Sequence, residues 1–260
     1  MQIVRLVADG KVKYGVLEDI TIRSFRGSPF THFKGHASLL IPDGSTYELG
    51  KVKLLAPCLP SKIVCLGLNY RSHSEETKFP MPAVPLIFLK PSTAVTGPGD
   101  EIVLPRSSKR VDYEGELGVV IGRKARDVPK DMAKDCVLGY TCVNDVSERY
   151  AQREDGQWTR AKGFDTFAPI GPWIETEIAP DNLKLETYLN GELRQSAYTS
   201  ELIFGVSELI SFISSIMTLL PGDIIATGTP AGIGRMNQGD VVEVKIDKIG
   251  TLRNFVVSQK

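Results

Sequence analysis

A short acidic motif followed by an apolar run is the feature that most restricts how this chain can fold. Residues 112–116 read Asp-Tyr-Glu-Gly-Glu, and residues 117–122 are apolar, rich in β-branched side chains and end in glycine. Such a run predicts a buried β-strand. Because side chains alternate along a strand, Glu114 and Glu116 are expected to point to the same face. Two neighbouring carboxylates at the start of a buried strand repel each other and lose hydration. A shared proton, a basic partner or a cation must offset this cost.

A third carboxylate occurs in a similar setting. Asp145 follows the apolar run 136–143, and no His or Cys lies directly beside Asp145, Glu114 or Glu116. An acidic, all-oxygen site suits a hard cation, with Mg²⁺ preferred and Mn²⁺ or Ca²⁺ as substitutes. The alternative is that Glu114 and Glu116 form a solvated strand face, which is the more common role of a Glu-x-Glu pair.

Composition and charge disfavour several classes of protein. The chain has 260 residues with 31 basic and 31 acidic side chains, so its formal net charge of zero gives no support for binding nucleic acid or an anionic membrane. It contains no uninterrupted apolar stretch of ~18 residues, so no transmembrane helix is expected. Its first residues alternate like a strand rather than forming a signal peptide, and its four cysteines match no zinc spacing. These features predict a cytoplasmic protein with reduced thiols.

Turn signals organise the chain. Residues 1–57 are predicted to form a small β-rich N-terminal domain, and residues 58–260 the main domain. The Asp-Gly pair at 9–10 separates two alternating runs in the first domain, and the Asn-Gly pair at 190–191 does the same in the second. Each pair predicts a tight β-hairpin.

The clearest helical signal lies in the second domain. Residues 207–220 carry an apolar stripe at helical spacing, with Ser207 as the predicted N-cap and Pro-Gly at 221–222 as the end. His32 and His36 are also four residues apart, but the glycines and proline around them disfavour a helix. They are predicted to be surface-loop residues rather than metal ligands.

His73 and Glu76 are the candidates for acid–base chemistry. A predicted strand at 62–67 gives way to a polar segment that is expected to be helical, and residues three apart then share a face. A carboxylate in that position can hold an imidazole, fix its tautomer and raise its basicity. The alternative is a surface ion pair, which is the more common role of such residues.

Two further sequence features are candidates for binding an anionic ligand. Lys162 is followed by glycine and a buried-looking stretch, so it either reaches an anionic ligand or, as lone lysines more often do, faces solvent. The glycine-rich stretch 228–234 follows a predicted strand and can present backbone N–H groups to a carboxylate or phosphate. It lacks the Lys-Ser/Thr ending of a Walker motif, so nucleotide binding is not expected.

Together these motifs resemble those of the fumarylacetoacetate hydrolase family, in the family's order, from about residue 60 to about residue 240. The resemblance rests on the turn at 67–70, which leads to His73 and Glu76. It rests also on the segments 88–92, 112–116, 144–147, 161–165, 190–192 and 228–234. The N-terminal segment resembles the one on bacterial and archaeal members often described as 2-hydroxyhepta-2,4-diene-1,7-dioate isomerases.

The resemblance implies an α+β, mostly β fold: a mixed β-sandwich roll preceded by the small β-rich domain, usually assembled as a homodimer. It implies that Glu114, Glu116 and Asp145 bind Mg²⁺ or Mn²⁺, in agreement with the pattern of the residues themselves. It makes His73 and Glu76 a general-base dyad on a segment that commonly closes as a lid over substrate.

The resemblance also implies which residues contact the substrate. Lys162 would hold the substrate's oxygens, and Thr229 would lie near its carboxylate. Further substrate-binding positions are implied at Gln152, Tyr70, Lys90 and Gly228. Just before Gln152 the chain departs from the family, because Glu-Arg-Tyr at 148–150 replaces the usual Ala-Arg-Asp-type stretch.

The implied activity is that of a divalent-metal-dependent enzyme acting on small 2-oxo acids or their enols through a metal-stabilised enolate. Three outcomes share this chemistry: hydrolysis of a C–C bond in an acylpyruvate, decarboxylation of oxaloacetate or a 2-hydroxy-diene-dioate, and keto–enol isomerisation. A base such as His73 serves water activation and proton transfer alike. Two alternatives of other kinds are a non-catalytic, metal-stabilised binding domain and a metal-free hydrolase that uses Glu114 and Glu116 as an acid/base pair.

Overall fold

The computed structural model of the protein describes residues 1–32 and 40–260, which form twenty β-strands and five α-helices. The first strands are β1 (Gln2–Ala8), β2 (Lys11–Glu18), β3 (Thr21–Phe25), β4 (Pro42–Glu48), β5 (Lys53–Leu55), β6 (Lys62–Gly67), β7 (Leu86–Pro91), β8 (Val95–Thr96), β9 (Glu101–Leu104), β10 (Val111–Tyr113) and β11 (Gly115–Ile121). The later strands are β12 (Val137–Asn144), β13 (Ser147–Glu148), β14 (Ala168–Glu175), β15 (Lys184–Leu189), β16 (Glu192–Tyr198), β17 (Ile224–Ala226), β18 (Gly234–Arg235), β19 (Val241–Ile246) and β20 (Gly250–Ser258). The helices are α1 (Pro29–His32), α2 (Arg71–Thr77), α3 (Arg149–Asp155), α4 (Thr159–Lys162) and α5 (Val206–Ile216).

Three sheets organise these strands. The largest has twelve strands, in the order β4-β3-β2-β1-β14-β12-β11-β17-β6-β7, with β5 beside β1 and β8 beside β14. A five-stranded sheet has the order β16-β15-β19-β20-β9, and a three-stranded sheet has the order β13-β10-β18. Most neighbouring strands are antiparallel, but β17–β6, β14–β8 and β20–β9 are parallel. The predicted mostly β, mixed architecture is confirmed.

The two larger sheets pack face to face around the main hydrophobic core. Leu117 and Val119 of β11 lie in the same buried cluster as Leu185 of β15 and Val244 of β19. Val120 of β11 belongs to a second buried cluster on the other face of the large sheet. A strand buried on both faces is expected to be apolar throughout, which explains the unbroken apolar run that follows the acidic motif.

The N-terminal segment is rich in strands, as predicted, and it joins the largest sheet through the antiparallel pairing of β1 with β14. β1 and β2 form the predicted hairpin, with φ of 51° at Asp9 and 69° at Gly10. β15 and β16 form the second predicted hairpin, with φ of 54° at Asn190 and 80° at Gly191. The domain boundary at residue 57 stays a prediction, because the segment shares its sheet with the rest of the chain.

The longest helix differs from its prediction at both ends. The N-cap of α5 is Gly205, so the assignment of Ser207 as the N-cap is wrong. The helix also stops at residue 216, four residues before its predicted end. The chain leaves the helix there because Leu219 and Ala125 exchange two backbone hydrogen bonds of 2.9 Å, which a helical residue could not make.

The other helices are short. α1 covers 29–32, part of a stretch that was expected to be irregular. The predicted surface position of His36 lies outside the described residues. None of the described helices is both long and apolar enough to cross a membrane.

Asp223 fixes the start of the parallel pair β6–β17. Its carboxylate is fully buried and accepts hydrogen bonds from the backbone N–H groups of Ser61 (2.9 Å) and Leu220 (2.8 Å). It also accepts from the Ser61 hydroxyl (2.6 Å) and from the ammonium group of Lys62. The Asp223 side chain thus connects the first residues of two neighbouring strands, β6 and β17, in the large sheet.

Replacing Asp223 with alanine should lower the free energy of unfolding by about 3–5 kcal/mol, because it leaves several donors without their acceptor. Urea unfolding followed by circular dichroism measures this change. Asp181→Ala is the control, since its exposed carboxylate lies 3.7 Å from Lys134. The control should lose less than about 1 kcal/mol. Equal losses in the two variants would contradict the role given to Asp223.

Candidate active site

Glu114, Glu116 and Asp145 come together at the ends of two neighbouring strands. β11 and β12 are antiparallel, so the entry to one strand lies beside the exit of the other. The backbone N–H of Asp145 donates to the carbonyl of Glu114 (2.8 Å). One oxygen from each carboxylate lies within 4.8 Å of the others, and none of the three residues is more than 4 % exposed. These carboxylates are therefore not a solvated strand face.

Two lysines lie against this carboxylate cluster. Lys162, at the end of α4, donates from its ammonium group to Glu114 (2.9 Å) and to Asp145 (2.6 Å). Lys90 of β7 is fully buried and donates to Asp145 and to the carbonyl of Val146 (2.9 Å). Burial favours a neutral Lys162, but the charges of Asp145 and Glu114 outweigh it and raise the pKa of Lys162 above its ordinary value. Lys162 therefore stays charged and faces the acids rather than solvent.

Of the three carboxylates, that of Glu116 has the fewest hydrogen-bond donors and no basic partner among the described residues. Its Oε2 accepts a hydrogen bond from the backbone N–H of Gly228 (2.8 Å), whereas its Oε1 has no hydrogen-bond partner among the described residues. Burial, together with the charges of Asp145 and Glu114, raises the pKa of Glu116 well above its ordinary value. A buried carboxylate oxygen without a partner, beside two further carboxylates, fits a hard divalent cation.

Arg149 holds the acidic motif from its other side, and the sequence reasoning did not single it out. It begins α3, and its guanidinium donates to Asp112 (2.8 Å) and Gln152 (2.8 Å) and pairs with Glu114. Burial opposes ionisation of Glu114, but Lys162 and Arg149 outweigh it and hold the pKa of Glu114 below its ordinary value. The pairing of β10 with β13 brings Arg149 to an acid 37 residues away, which no local pattern signals.

His73 and Glu76 lie on α2 and contact each other directly. Nδ1 of His73 lies 3.0 Å from Oε2 of Glu76, and Oε1 of Glu76 accepts from the backbone N–H of Gly232 (3.0 Å). The helix expected here is present. His73 is only 7 % exposed whereas Glu76 is exposed, so the contact joins a buried imidazole to a carboxylate at the surface.

The glycine-rich turn after β17 presents its N–H groups to the protein's own carboxylates. Gly228 donates to Glu116, and Gly232 donates to Glu76. Gly228 has a φ of +98°, and a Cβ at this position would lie 2.8 Å from that of Asn69. A larger residue would be strained there, so glycine is what allows the N–H of Gly228 to reach the carboxylate of Glu116.

A cavity of about 450 Å³ connects the His73–Glu76 dyad to the carboxylate cluster. Its lining includes five of the predicted site residues: His73, Glu114, Gln152, Lys162 and Thr229. The hydroxyl of Thr229 accepts from Gln195 (2.7 Å) and donates to the carbonyl of Gly115 (3.0 Å). The structure therefore brings acid–base, cationic and polar groups to one space.

Three predicted substrate-binding residues are not among the described residues that line this cavity. Lys90 contacts Asp145, and Gly228 contacts Glu116, so both lie against the carboxylates. Tyr70 is fully buried, its hydroxyl has no hydrogen-bond partner among the described residues, and burial raises its pKa. The sequence patterns could not separate these inner positions from those that face the cavity.

In the presence of a chelator, the protein should lose stability as the pH rises above the ordinary glutamate pKa of 4.5. A carboxyl group whose pKa is raised on folding binds its proton more tightly in the folded state, so stability falls with pH between the unfolded and folded values. Glu116→Gln cannot ionise and should give a flatter profile. Melting temperatures from about pH 5 to about pH 8 measure the difference; identical slopes for the two proteins would contradict it.

Two family models match the chain. The fumarylacetoacetate (FAA) hydrolase C-terminal model matches residues 62–257, and the Rv2993c-like N-terminal model matches residues 1–57. The first match covers well over half of the chain, so the protein belongs to the fumarylacetoacetate hydrolase family. The resemblance found in the motifs is confirmed.

Curated relatives of the chain include enzymes. It is 41 % identical over 263 residues to the 2,4-didehydro-3-deoxy-L-rhamnonate hydrolase of Sphingomonas sp. (strain SKA58), which covers 96 % of this chain and 90 % of that protein. It is 43 % identical over 220 residues to the mitochondrial oxaloacetate tautomerase FAHD2B of Bos taurus, with 80 % and 70 % covered. The protein is an enzyme of this family, and the alternative of a non-catalytic binding domain is set aside.

Solved structures show the same fold. The 5-carboxymethyl-2-hydroxymuconate delta-isomerase from Mycobacterium smegmatis matches with a TM-score of 0.92 and 43 % identity, over 100 % of both chains. Maleylpyruvate hydrolase from Sphingobium sp. SYK-6, in complex with manganese(II) ion and pyruvate, matches with a TM-score of 0.85 and 31 % identity, also over 100 % of both chains. Both a hydrolase and an isomerase therefore occur among the structural neighbours.

Proposed function

We propose that the protein hydrolyses a C–C bond of an acylpyruvate, a small 2-oxo acid, with a divalent cation as its cofactor. The observation that carries this proposal is the pairing of His73 with Glu76 at the cavity that Lys162 and Glu114 also line. Hydrolysis needs a base that activates water, and an imidazole held by a carboxylate suits that role. The names of two similar proteins, a rhamnonate-derivative hydrolase and a maleylpyruvate hydrolase, support the same reaction type.

Glu114, Glu116 and Asp145 would hold Mg²⁺, with Mn²⁺ or Ca²⁺ as substitutes. Their burial, their mutual distances and the unpartnered Oε1 of Glu116 suit a hard cation. The neighbour maleylpyruvate hydrolase is in complex with manganese(II) ion and pyruvate, which supports a divalent metal and a 2-oxo acid as ligands. When bound, the cation supplies Lewis-acid stabilisation to the substrate's oxygens.

The chain's own residues supply the proton transfers and further charge. His73, oriented by Glu76, takes a proton from the attacking water. The water oxygen joins the acyl carbon, the bond from that carbon to C3 breaks, and its electron pair stays on C3 as the enolate of pyruvate. Lys162 stabilises the negative charge that develops on the substrate's oxygen. A proton then adds to C3, and the products are pyruvate and a carboxylate.

The remaining predicted residues divide into two groups. Gln152 and Thr229 line the cavity together with Lys162, and we propose that they bind the carboxylate end of the substrate. We propose that Lys90 and Gly228 position the carboxylates that would hold the cation, and we assign Tyr70 to neither group because its hydroxyl has no hydrogen-bond partner among the described residues. The contacts of Lys90 with Asp145 and of Gly228 with Glu116 support this division.

Tautomerisation of oxaloacetate is the second candidate function. The His73–Glu76 dyad can move a proton between C3 and the enol oxygen without adding water. The bovine oxaloacetate tautomerase among the relatives supports this outcome, and the mycobacterial isomerase supports proton relocation in general. Decarboxylation of oxaloacetate would use the same enolate.

A turnover panel tests the proposal. Acetylpyruvate, fumarylpyruvate, oxaloacetate and 2-hydroxyhepta-2,4-diene-1,7-dioate would each be incubated with Mg²⁺, with Mn²⁺ and with chelator, and the products identified by mass spectrometry. Pyruvate released from an acylpyruvate only with metal is the expected result. Activity that survives the chelator would favour the metal-free acid/base alternative, and turnover of oxaloacetate alone would favour the tautomerase or decarboxylase.

We also propose that the enzyme is a cytoplasmic homodimer that acts on a small molecule, not on nucleic acid or a membrane. The formal net charge of zero supports the choice of a small-molecule substrate. Analytical ultracentrifugation at micromolar concentration should show a dimer; a monomer under those conditions would contradict the assembly.

A further inference from the structure

The lining of the cavity has a polar part and an apolar part. The polar part includes His73, Lys162 and the polar groups described above. The apolar part, called the apolar end below, consists of Leu66, Phe79, Leu86, Phe88 and Trp158, and Leu86 and Trp158 meet at Gly67. The volume of about 450 Å³ exceeds what a four-carbon oxo acid fills and lies in the range of pockets that bind larger organic ligands.

We propose that the substrate carries an apolar, planar acyl group, so that the preferred acylpyruvate is an aroylpyruvate. This inference rests on the proposed function and deepens it by naming the part of the substrate that the apolar end receives. Benzoylpyruvate represents this class, and its hydrolysis would yield benzoate and pyruvate by the bond changes given above.

The aromatic wall is held in place by packing between its own side chains and β6. The ring of Trp158 lies against β6, where a Cβ on Gly67 would come within 2.9 Å of it. Phe88 meets Trp158 edge to face, with ring centroids 5.1 Å apart and an interplanar angle of 74°. Aromatic rings favour this arrangement, and it leaves an apolar wall against which a planar group can stack.

This wall begins next to the groups that would hold the reacting atoms. The ammonium nitrogen of Lys162 lies 4.9 Å from the centroid of the Phe88 ring. A substrate whose oxygens contact Lys162 would therefore direct its acyl group along Phe88 toward Trp158. At the outer end, Phe79 is 64 % exposed and Leu86 is 41 % exposed, so apolar surface remains for a ligand to cover.

Charge argues against a second carboxylate at this end. Among the arginines and lysines in the described lining, Arg149 and Lys162 are already paired with Glu114. The remaining one is Arg153, which is exposed, donates to the carbonyl of Arg149 (3.2 Å) and lies 5.0 Å from the ring of Tyr150. A buried carboxylate needs a charge partner, and the aromatic wall offers none.

The test compares kcat/KM for benzoylpyruvate, acetylpyruvate and fumarylpyruvate with Mg²⁺. The wild-type enzyme should prefer benzoylpyruvate to acetylpyruvate by about tenfold or more, as expected for an apolar group that fills an apolar pocket. Trp158→Ala and Phe79→Ala should each lower kcat/KM for benzoylpyruvate by about tenfold more than kcat/KM for acetylpyruvate, so that the preference is reduced. Phe255→Ala removes an exposed aromatic residue of β20 and is the matched control, with no change expected.

Two results would overturn the inference. One is that the wild-type enzyme shows no preference for benzoylpyruvate over acetylpyruvate, or that both variants keep this preference. The other is a preference for fumarylpyruvate that disappears in Arg153→Ala, which would assign this end to a second carboxylate. Failure of the proposed reaction would appear differently, as no turnover of any acylpyruvate. In that case calorimetry with Mg²⁺ still decides the inference, because benzoylpyruvate should bind more tightly than acetylpyruvate, and Trp158→Ala should remove the difference.

Discussion

Replacing Glu116 with glutamine is expected to lower metal-dependent turnover at least about a thousandfold, which corresponds to the several kcal/mol of stabilisation that a Lewis acid gives. Glutamine has nearly the same shape and can still accept the hydrogen bond from Gly228. It removes the carboxylate oxygen that has no partner among the described residues. The variant should therefore fold while binding the cation much more weakly.

The expected effect on stability has the opposite sign. In chelator, Glu116→Gln should melt at the same temperature as the wild type or higher, because an uncompensated buried carboxylate has been removed. Added Mg²⁺ should raise the melting temperature of the wild type but not of the variant. Glu186→Gln is the control, since Glu186 pairs with Lys184 (2.6 Å) on β15 of the other large sheet. Full metal-dependent activity in Glu116→Gln would rule out the assigned cation site.

Replacing His73 with alanine is expected to lower C–C hydrolysis by about a hundredfold to ten-thousandfold, the usual contribution of a general base. Metal binding should change little, because the described hydrogen bond of the His73 side chain is with Glu76 and not with Glu114, Glu116 or Asp145. Initial rates give the first quantity, and calorimetry with Mn²⁺ gives the second. Equal losses of hydrolysis and of metal affinity would contradict the dyad.

Glu76→Gln separates positioning from proton transfer. It should lower hydrolysis less than His73→Ala does, as measured by initial rates, because the imidazole is kept and only the carboxylate that orients it is lost. Glu75→Gln is the matched control, since Glu75 is the adjacent and exposed residue of the same helix. A loss of hydrolysis of the same size in Glu75→Gln would show that the charge of the helix, rather than the contact of Glu76 with His73, supports the reaction.

Local patterns predicted the position of the acids because strand alternation is a local property. The alternating geometry was enough to place Glu114 and Glu116 together, and the apolar run before Asp145 was enough to end a strand there. The hairpins at 9–10 and 190–191 were predicted for the same reason, since the turn residues themselves favour the left-handed backbone conformation.

Features that depend on distant pairing could not be predicted in this way. The mixed β-sandwich architecture came only from the family resemblance, and the order of the strands was not predicted at all. The end of α5 depends on a backbone contact between Leu219 and Ala125, which are 94 residues apart. Lys90 sits in a strand bounded by prolines, and only the tertiary fold sets its ammonium group against Asp145. Arg149 was missed because its acidic partner lies on another strand.

The turn that follows β17 restricts how the amino-acid sequence of this enzyme can change during evolution. Gly228 and Gly232 are four positions apart, and their N–H groups donate to the carboxylates of Glu116 and of Glu76. A Cβ on Gly232 would lie 2.0 Å from the carbonyl oxygen of Arg194, so neither the composition nor the length of this turn is free. A single inserted or deleted residue would misalign both carboxylates at once. Divergence among homologous enzymes should therefore spare the length of this turn, while the aromatic end of the cavity can be remodelled for new substrates.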